Sequence, residues 1–220
     1  MLKAVIFDMD GVLADTEPLH EKSRDVLLAR LGLDVAALSS RAYAKSKREY
    51  WAEVAEECAL PQTAEQLTRT EFGILIEIIE NSRLQPNAGV KEALEALRAE
   101  GLSAAVASSS DRVYVETVLR VTGLEKLFDA TACGNEVAAA KPAPDVYLKA
   151  LQLLGVSAGE AVAVEDSDTG AKAAVAAHLL CIGYDAVSDE KFRQKLDLCA
   201  CKIGDMHLLP QTIRREYHEV

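Results

Sequence analysis

Short apolar runs alternate with helix-like stretches along most of the chain. The apolar runs are bounded by glycine or polar residues, and they predict buried strands at 3–7, 102–107, 128–133, 160–164 and 179–182. Stretches with the apolar period of a helix lie between them, at 90–100, 111–121, 146–154 and 170–177. A helix near 190–196 and a short strand near 201–203 complete the prediction. This alternation predicts an α/β fold with a parallel sheet wound by helices.

The stretch 15–84 interrupts this alternation directly after the first strand, because it contains no convincing strand pattern. Thr16 or Asp15, followed by Pro18, is typical of the start of a helix. Helical patterns with apolar faces lie at 19–31, 47–54 and 64–81. We therefore expect a small helical module at 15–84, inserted into a core formed by 1–14 and 85–220.

The amino-acid composition and net charge of the chain argue against some classes of binding partner. The 220 residues suit one large domain or a domain with an insertion, and half of them are hydrophobic. The net charge of −11 argues against nucleic acid and against an anionic membrane, since both partners require clustered basic residues. We expect a monomer or a weak dimer.

The N-terminus lacks the pattern of a signal peptide, and no apolar run is as long as a membrane span. The spacing of the cysteines is irregular and fits neither a zinc site nor a disulfide framework, so we expect reduced thiols. Their positions are Cys58, Cys133, Cys181, Cys199 and Cys201. Together these features predict a cytoplasmic protein.

The first strand ends at two carboxylates one residue apart, Asp8 and Asp10, followed by Gly11. Asp-Gly can simply end a strand in a surface turn. However, like charges this close raise each other's pKa, so the pair is costly where it follows a buried strand. Ligands bind at the carboxyl ends of strands in open α/β sheets, where acids can hold a cation, attack an electrophile or transfer a proton. The apolar run before Asp8 favours this second interpretation.

Other predicted strands also end in polar residues. Ser108 follows the second strand, Glu165 and Asp166 follow the fourth, and Lys141 precedes the helix before the fourth. Taken alone, each of these residues has an ordinary structural explanation. Ser108 can be a helix N-cap, Lys141 a solvated charge, and Glu165-Asp166 the start of a helix. In a parallel sheet the strand ends lie at one edge, so these side chains can converge.

The chemistry of this set is complementary. The carboxylates of Asp8, Glu165 and Asp166 suit Mg²⁺, which prefers oxygen ligands. The hydroxyl of Ser108 and the ammonium of Lys141 suit the oxygens of a phosphoryl group. A carboxylate such as Asp8 can then attack phosphorus, and Asp10 can transfer the proton.

Four motifs in this order resemble those of the haloacid dehalogenase-like superfamily, and most closely its β-phosphoglucomutase and sugar-phosphate phosphatase branch. They are D-M-D-G-V-L at 8–13, A-S-S-S at 107–110, K-P-A-P-D at 141–145 and V-E-D-S-x-x-G at 164–170. The resemblance covers nearly the whole chain. It implies a Rossmann-like catalytic core at 1–14 and 85–220 and an inserted all-helical cap domain at 15–84.

The resemblance also implies roles for the motif residues. Asp8 is expected to be the nucleophile that forms an aspartyl phosphate, and Asp10 the general acid and base, whose backbone carbonyl also binds Mg²⁺. Ser108 and Lys141 are expected to hold the phosphoryl group. The implied metal-binding residues are Asp8, Asp10, Glu165 and Asp166. Of these, Glu165 is expected either to bind the ion directly or to contact the residues that do.

The last motif is a variant. Many relatives carry Gly-Asp followed by a further aspartate four positions on. Here that further position is Gly170, and the acid stands at Glu165 instead, as is typical of the mutase-like branch although phosphatases share it. Asp168 matches no required acid, and we expect it to be a loop residue.

The residues expected to contact the substrate are His20 and Lys47 in the cap, and Ser109 beside Ser108. His20 matches a histidine of both mutases and phosphatases, but it can also be an ordinary exposed histidine. The stretch 44–47 resembles the family's cap loop, with Ala44 in place of glycine. Lys47 can contact a distal phosphate or carboxylate of a substrate, or it can be a solvated charge at a helix start.

These features predict a Mg²⁺-dependent phosphatase that acts on a small phosphorylated metabolite, such as a sugar phosphate. The alternative is phosphoryl transfer of the β-phosphoglucomutase type. Mutases place a lysine on the last cap helix, and this chain has no lysine or arginine between Glu71 and Ser82, which favours the phosphatase. A non-catalytic binding module has no use for Asp10, and the dehalogenase branch lacks that second aspartate.

Overall fold

The computed structural model describes residues 1–42, 45–186 and 194–218. The chain forms two compact units, a core unit made of Met1–Asp15 and Leu84–Val220 and a helical unit made of Thr16–Arg83. Ala44 of the expected cap loop lies outside the described residues.

The core unit is built on a six-stranded parallel sheet, as predicted. Its strands are β1 (Ala4–Phe7), β2 (Ser103–Ser108), β3 (Ala130–Cys133), β4 (Ala161–Glu165), β5 (Leu180–Tyr184) and β6 (Cys201–Ile203). They lie in the order β3-β2-β1-β4-β5-β6, and each neighbouring pair is parallel. The order reverses between β1 and β4, which is the point where open α/β sheets of this kind bind ligands.

The helices of both units follow the predicted pattern closely until the last part of the chain. The helical unit contains α1 (Glu17–Arg30), α2 (Val35–Leu38), α3 (Lys47–Glu57) and α4 (Ala64–Glu80). The core unit contains α5 (Val90–Ala99), α6 (Arg112–Val121), α7 (Asp145–Leu154), α8 (Asp168–Ala176) and α9 (Leu209–His218). No described helix has both the length and the apolar character needed to cross a membrane.

Two expectations for the C-terminal half were wrong. Asp168 is the first residue of α8 rather than a loop residue, because the Ser167 hydroxyl accepts a hydrogen bond from the Gly170 N–H and so caps the helix directly before it. Of the helix expected at 190–196, residues 190–193 lie outside the described residues and residues 194–196 are not helical. Leu196 has a φ of 50°, in the left-handed region that a right-handed helix cannot use.

One face of the sheet packs against α7 and α8. Alternate strand residues, such as Ala4 and Ile6 of β1, point to this face and join Tyr147 of α7 in a buried cluster. The residues that α8 contributes to it are Ala171, Ala173 and Ala174. Their small side chains let α8 lie close to β4 and β5, which places its N-terminus beside the ends of these strands.

The helical unit has a separate core. In it α4 contacts both α1 and α3, and the cluster contains Leu28, Trp51 and Leu67. Capping boxes begin α3 at Ser46 and α4 at Thr63. Thr16 occupies the N-cap position of α1 as expected, although its side chain makes no capping hydrogen bond.

Candidate active site

The site begins where β1 ends. Asp8 follows the strand directly, and its N–H donates to the Val164 carbonyl at 2.9 Å, so the first carboxylate is held in line with the sheet. The chain then turns at Gly11, whose φ of +79° favours glycine. The side-chain amide of Asn87 donates to the carbonyls of Gly11 and Val12 at 2.8 and 3.0 Å and so fixes this turn.

Lys141 joins two buried carboxylates from neighbouring strands. Its Nζ donates to Asp8 Oδ1 at 2.5 Å and to Glu165 Oε1 at 2.6 Å. The Tyr147 hydroxyl donates to the same Glu165 oxygen at 2.7 Å, and the Lys141 ammonium lies 4.9 Å from the centre of the Tyr147 ring. The other oxygen of Glu165 accepts from the Ser167 hydroxyl at 3.2 Å. Glu165 therefore orients Lys141, and both of its oxygens have hydrogen-bond partners.

Negative charge exceeds positive charge within this cluster. Burial raises the pKa of Asp8 well above its usual range, Lys141 opposes this, and the nearby Glu165 and Asp166 add to it. Burial, followed by Glu165, raises the pKa of Asp166 to about 7. Burial disfavours the charge on Lys141, but the carboxylates of Asp8 and Glu165 outweigh it and raise the pKa of the ammonium. The Lys141 ammonium alone therefore does not neutralise the carboxylates of Asp8, Glu165 and Asp166.

The same acids fit a magnesium ion. Oxygen atoms of Asp8, Glu165 and Asp166 lie within 4.8 Å of one another, and carboxylate oxygens are the ligands that hard cations prefer. Since the oxygens of Glu165 already have partners, Asp8 and Asp166 are the better candidates for direct ligands. Asp166 packs against the turn at Gly11, where an added Cβ would lie 1.9 Å from its Oδ2.

Asp10 occupies a different environment. Its Oδ1 accepts from the Tyr114 hydroxyl at 2.7 Å and its Oδ2 accepts from the Ser110 hydroxyl at 3.3 Å. Tyr114 is buried on the first turn of α6, so it holds the carboxylate in one orientation. Asp8 thus faces an ammonium, while Asp10 faces two hydroxyls, and the two acids are chemically distinct.

The three serines at the end of β2, of which Ser108 is the last residue of the strand, differ in burial and in contacts. Ser108 is buried, and its Oγ accepts from the Ser110 N–H at 3.1 Å. Because β2 pairs directly with β1, Ser108 lies at the same sheet edge as Asp8. Ser109 is exposed. Of these three serines, Ser110 is the one whose side chain contacts Asp10.

The expected cap residues His20 and Lys47 lie together within the helical unit. Lys47 Nζ is 2.9 Å from His20 Nδ1 and 3.6 Å from Glu71 Oε1. Glu71 is buried on α4, where it also accepts from Trp51 Nε1 at 2.5 Å. Lys47 is therefore a paired charge rather than a purely solvated one.

Four residues of the site were not expected from the sequence: Asn87, Ser110, Tyr114 and Tyr147. The two tyrosines stand at apolar helix positions, where an aromatic residue ordinarily indicates core packing. Ser110 belongs to the A-S-S-S motif, but its neighbour Ser108 carries the family resemblance.

A family model for haloacid dehalogenase-like hydrolases matches residues 2–178. The chain belongs to this family. It is therefore an enzyme of the hydrolase class.

Relatives and solved structures support this membership. The chain is 34% identical to the protein CbbY of Rhodobacter capsulatus, covering 81% of this chain and 83% of that protein. It is 32% identical to hexitol phosphatase B of Escherichia coli K12, covering 86% and 87%. The crystal structure of a putative β-phosphoglucomutase from Thermotoga maritima superimposes with a TM-score of 0.82, at 28% identity and over 97% and 99% of the two chains. The sugar-phosphate branch inferred from the motifs is thereby confirmed.

Proposed function

We propose that this enzyme is a Mg²⁺-dependent phosphatase that hydrolyses a small sugar phosphate through an aspartyl phosphate on Asp8. One observation carries the proposal: Asp8 is held by the Lys141 ammonium while Asp10, two residues on, is held by hydroxyls. Two acids in separate environments can take the separate roles of nucleophile and proton carrier.

In the first step, an oxygen of Asp8 attacks phosphorus and the bond from phosphorus to the sugar oxygen breaks. Asp10 gives its proton to that leaving oxygen. Lys141 lies within hydrogen-bond distance of Asp8, so its ammonium is close to the charge that develops on the phosphoryl oxygens. Ser108, at the same edge, is proposed to hold a further phosphoryl oxygen.

In the second step, water attacks the phosphorus of the aspartyl phosphate. Asp10 takes a proton from this water, the Asp8 carboxylate is released, and inorganic phosphate leaves. Asp8, Asp166 and the Asp10 backbone carbonyl would hold Mg²⁺, which when bound supplies positive charge to the phosphoryl group. Glu165 would not be a direct ligand of the ion; its role is to orient Lys141.

The substrate class rests on the relatives. Hexitol phosphatase B is named for a phosphorylated sugar alcohol, and a small phosphorylated sugar is the corresponding proposal for this chain. We also propose that 1–14 and 85–220 form the catalytic domain and that 15–84 forms the cap, in which His20 and Lys47 contribute to the choice of substrate.

Phosphoryl transfer of the β-phosphoglucomutase type is the second candidate, favoured by the likeness to the putative mutase structure. The helical unit argues against it. Mutases carry a lysine on the last cap helix, whereas α4 of this chain buries Glu71, which is paired with Lys47. A mutase would isomerise β-glucose 1-phosphate, primed by glucose 1,6-bisphosphate, without releasing phosphate.

The test is a panel of phosphorylated metabolites assayed for released phosphate, with that isomerisation measured alongside. We expect phosphate release with Mg²⁺, none in excess EDTA, and none from Asp8→Asn. Asp10→Asn should lose most activity but still bind Mg²⁺. The matched control is Asp168→Asn, because an asparagine oxygen can still accept the Leu196 N–H that Asp168 Oδ1 now accepts at 2.7 Å. Undiminished turnover by Asp8→Asn, or full activity in EDTA, would refute the mechanism.

A further inference from the structure

Two of the five cysteines lie against each other at the edge of the sheet distant from β3. Cys181 is on β5, and Cys199 stands two residues before β6, with their Sγ atoms 3.5 Å apart. We infer that Cys181 and Cys199 are an oxidation site, which forms a reversible intramolecular disulfide when the protein meets a peroxide. This inference is independent of the proposed phosphatase activity.

The backbone already holds the two thiols at bonding range. The Ala200 N–H donates to the Cys181 carbonyl at 2.8 Å, so the residue after Cys199 is tied to β5. The Cys199 side chain packs over Gly183, where an added Cβ would lie 3.3 Å from its Sγ. A disulfide requires an S–S distance of about 2.0 Å, so the sulfurs must approach by about 1.5 Å. Rotation of the two side chains can supply that movement, because the main chain beside Cys199 is already tied to that of Cys181.

The two thiols are unequal, which assigns each a role. Cys199 is partly exposed and can meet a small oxidant, whereas Cys181 is 2% exposed. Their shared hydrogen bond stabilises a thiolate on Cys199 and lowers its pKa. The Cys199 thiolate therefore attacks the peroxide, which gives a sulfenic acid and hydroxide. The Cys181 thiol then attacks the sulfenic sulfur, which forms the disulfide and releases water, so the peroxide is reduced and the two thiols are oxidised.

The other three cysteines cannot take the place of this pair. Cys201 is opposite Ile182 in the β5–β6 register, so its side chain shares the face of Ile182 and points away from that of Cys181. Cys133 is buried on β3, at the opposite edge of the sheet. Cys58 belongs to the helical unit. Cys201 is therefore the matched control for Cys199.

The experiment treats the reduced full-length protein with hydrogen peroxide, blocks remaining thiols with N-ethylmaleimide, and analyses an unreduced tryptic digest by mass spectrometry. Peptide 173–191 contains Cys181, and peptide 196–202 contains both Cys199 and Cys201. We expect the two peptides to be joined, with two hydrogens lost, and to separate after treatment with dithiothreitol. The joined peptide should persist in Cys201→Ser and disappear in Cys199→Ser.

A dimedone label adds a second readout. In Cys181→Ser, with folding checked by circular dichroism, the serine hydroxyl can still donate to Cys199 but cannot form a disulfide, so the sulfenic acid on Cys199 should accumulate as a dimedone adduct on that residue. The inference is overturned if oxidised wild-type protein contains no joined peptide, if the bond joins Cys199 to Cys201 or two separate chains, or if Cys199→Ser retains the link. Because wild-type protein alone gives the first result, a variant that fails to fold leaves the test intact.

Discussion

Replacing Lys141 with methionine should destabilise the core unit strongly. The Lys141 side chain is 6% exposed, and its ammonium pairs with Asp8 and Glu165, whose side chains are 12% and 0% exposed. Methionine keeps most of the volume but leaves these carboxylates without their cation. Removing one partner of a buried ion pair costs about 3–5 kcal/mol. A typical domain has a free energy of unfolding of about 5–15 kcal/mol, so this loss is a large share of it.

The measurement is urea unfolding followed by far-ultraviolet circular dichroism at neutral pH. The single tryptophan, Trp51, reports only on the helical unit and serves as an internal reference for it. Lys172→Met is the control, because Lys172 is exposed on α8 and its loss should change the free energy of unfolding by less than about 0.5 kcal/mol.

A double variant separates lost charge pairing from lost packing. Adding Glu165→Gln to Lys141→Met removes one of the two stranded carboxylates, so the double variant should be less destabilised than the sum of the single variants by about 1–3 kcal/mol. The reasoning fails if Lys141→Met is as stable as Lys172→Met, or if the costs of the two single changes simply add.

Two further predictions concern residues around the acids. Tyr114→Phe removes the hydroxyl that holds Asp10. We expect kcat, measured by phosphate release, to fall about tenfold with little change in KM. An unchanged kcat would contradict the orienting role of Tyr114. Gly170→Ala should destabilise the protein and abolish activity, because the new Cβ would lie 1.9–2.1 Å from the Glu165 carboxylate atoms. The control is Gly73→Ala in α4, where an added Cβ would meet open space. In urea unfolding this control should be neutral or stabilising by up to about 1 kcal/mol. Equal effects of these two glycine substitutions would refute the steric argument.

Periodicity was sufficient for most of the fold because most elements bury a regular face. Strand β4 is buried throughout, and α4 begins and ends within a residue of its apolar pattern. The pattern was insufficient near the C-terminus. Helix α9 was not predicted, since its apolar residues follow a short 3₁₀ turn at Met206–Leu208 with no clear break in composition. Leu196 adopts a left-handed φ, which a leucine in the sequence does not predict.

The site could be predicted only where its chemistry is unusual for its position. Acids at the end of a buried strand are costly, so Asp8 and Glu165 were evident from the sequence. Tyr114 and Tyr147 are ordinary for a helix face, and their hydroxyls matter only because the fold brings α6 and α7 to the acids. That convergence is a tertiary property, with more than a hundred residues separating Tyr114 from Asp10, and no local pattern encodes it.

The position of Glu165 and the absence of a side chain at Gly170 are a single feature of the site. A Cβ on Gly170 would overlap the Glu165 carboxylate, so the space beside Lys141 accepts a group from one of these positions and not from both. Relatives whose motif has a further aspartate four positions after the first carry their acid at the place of Gly170. On this backbone such an aspartate would enter the volume that Glu165 now fills. The two sequence patterns are therefore alternative ways of placing one carboxylate in the same volume, which explains why this chain has glycine where others have an acid.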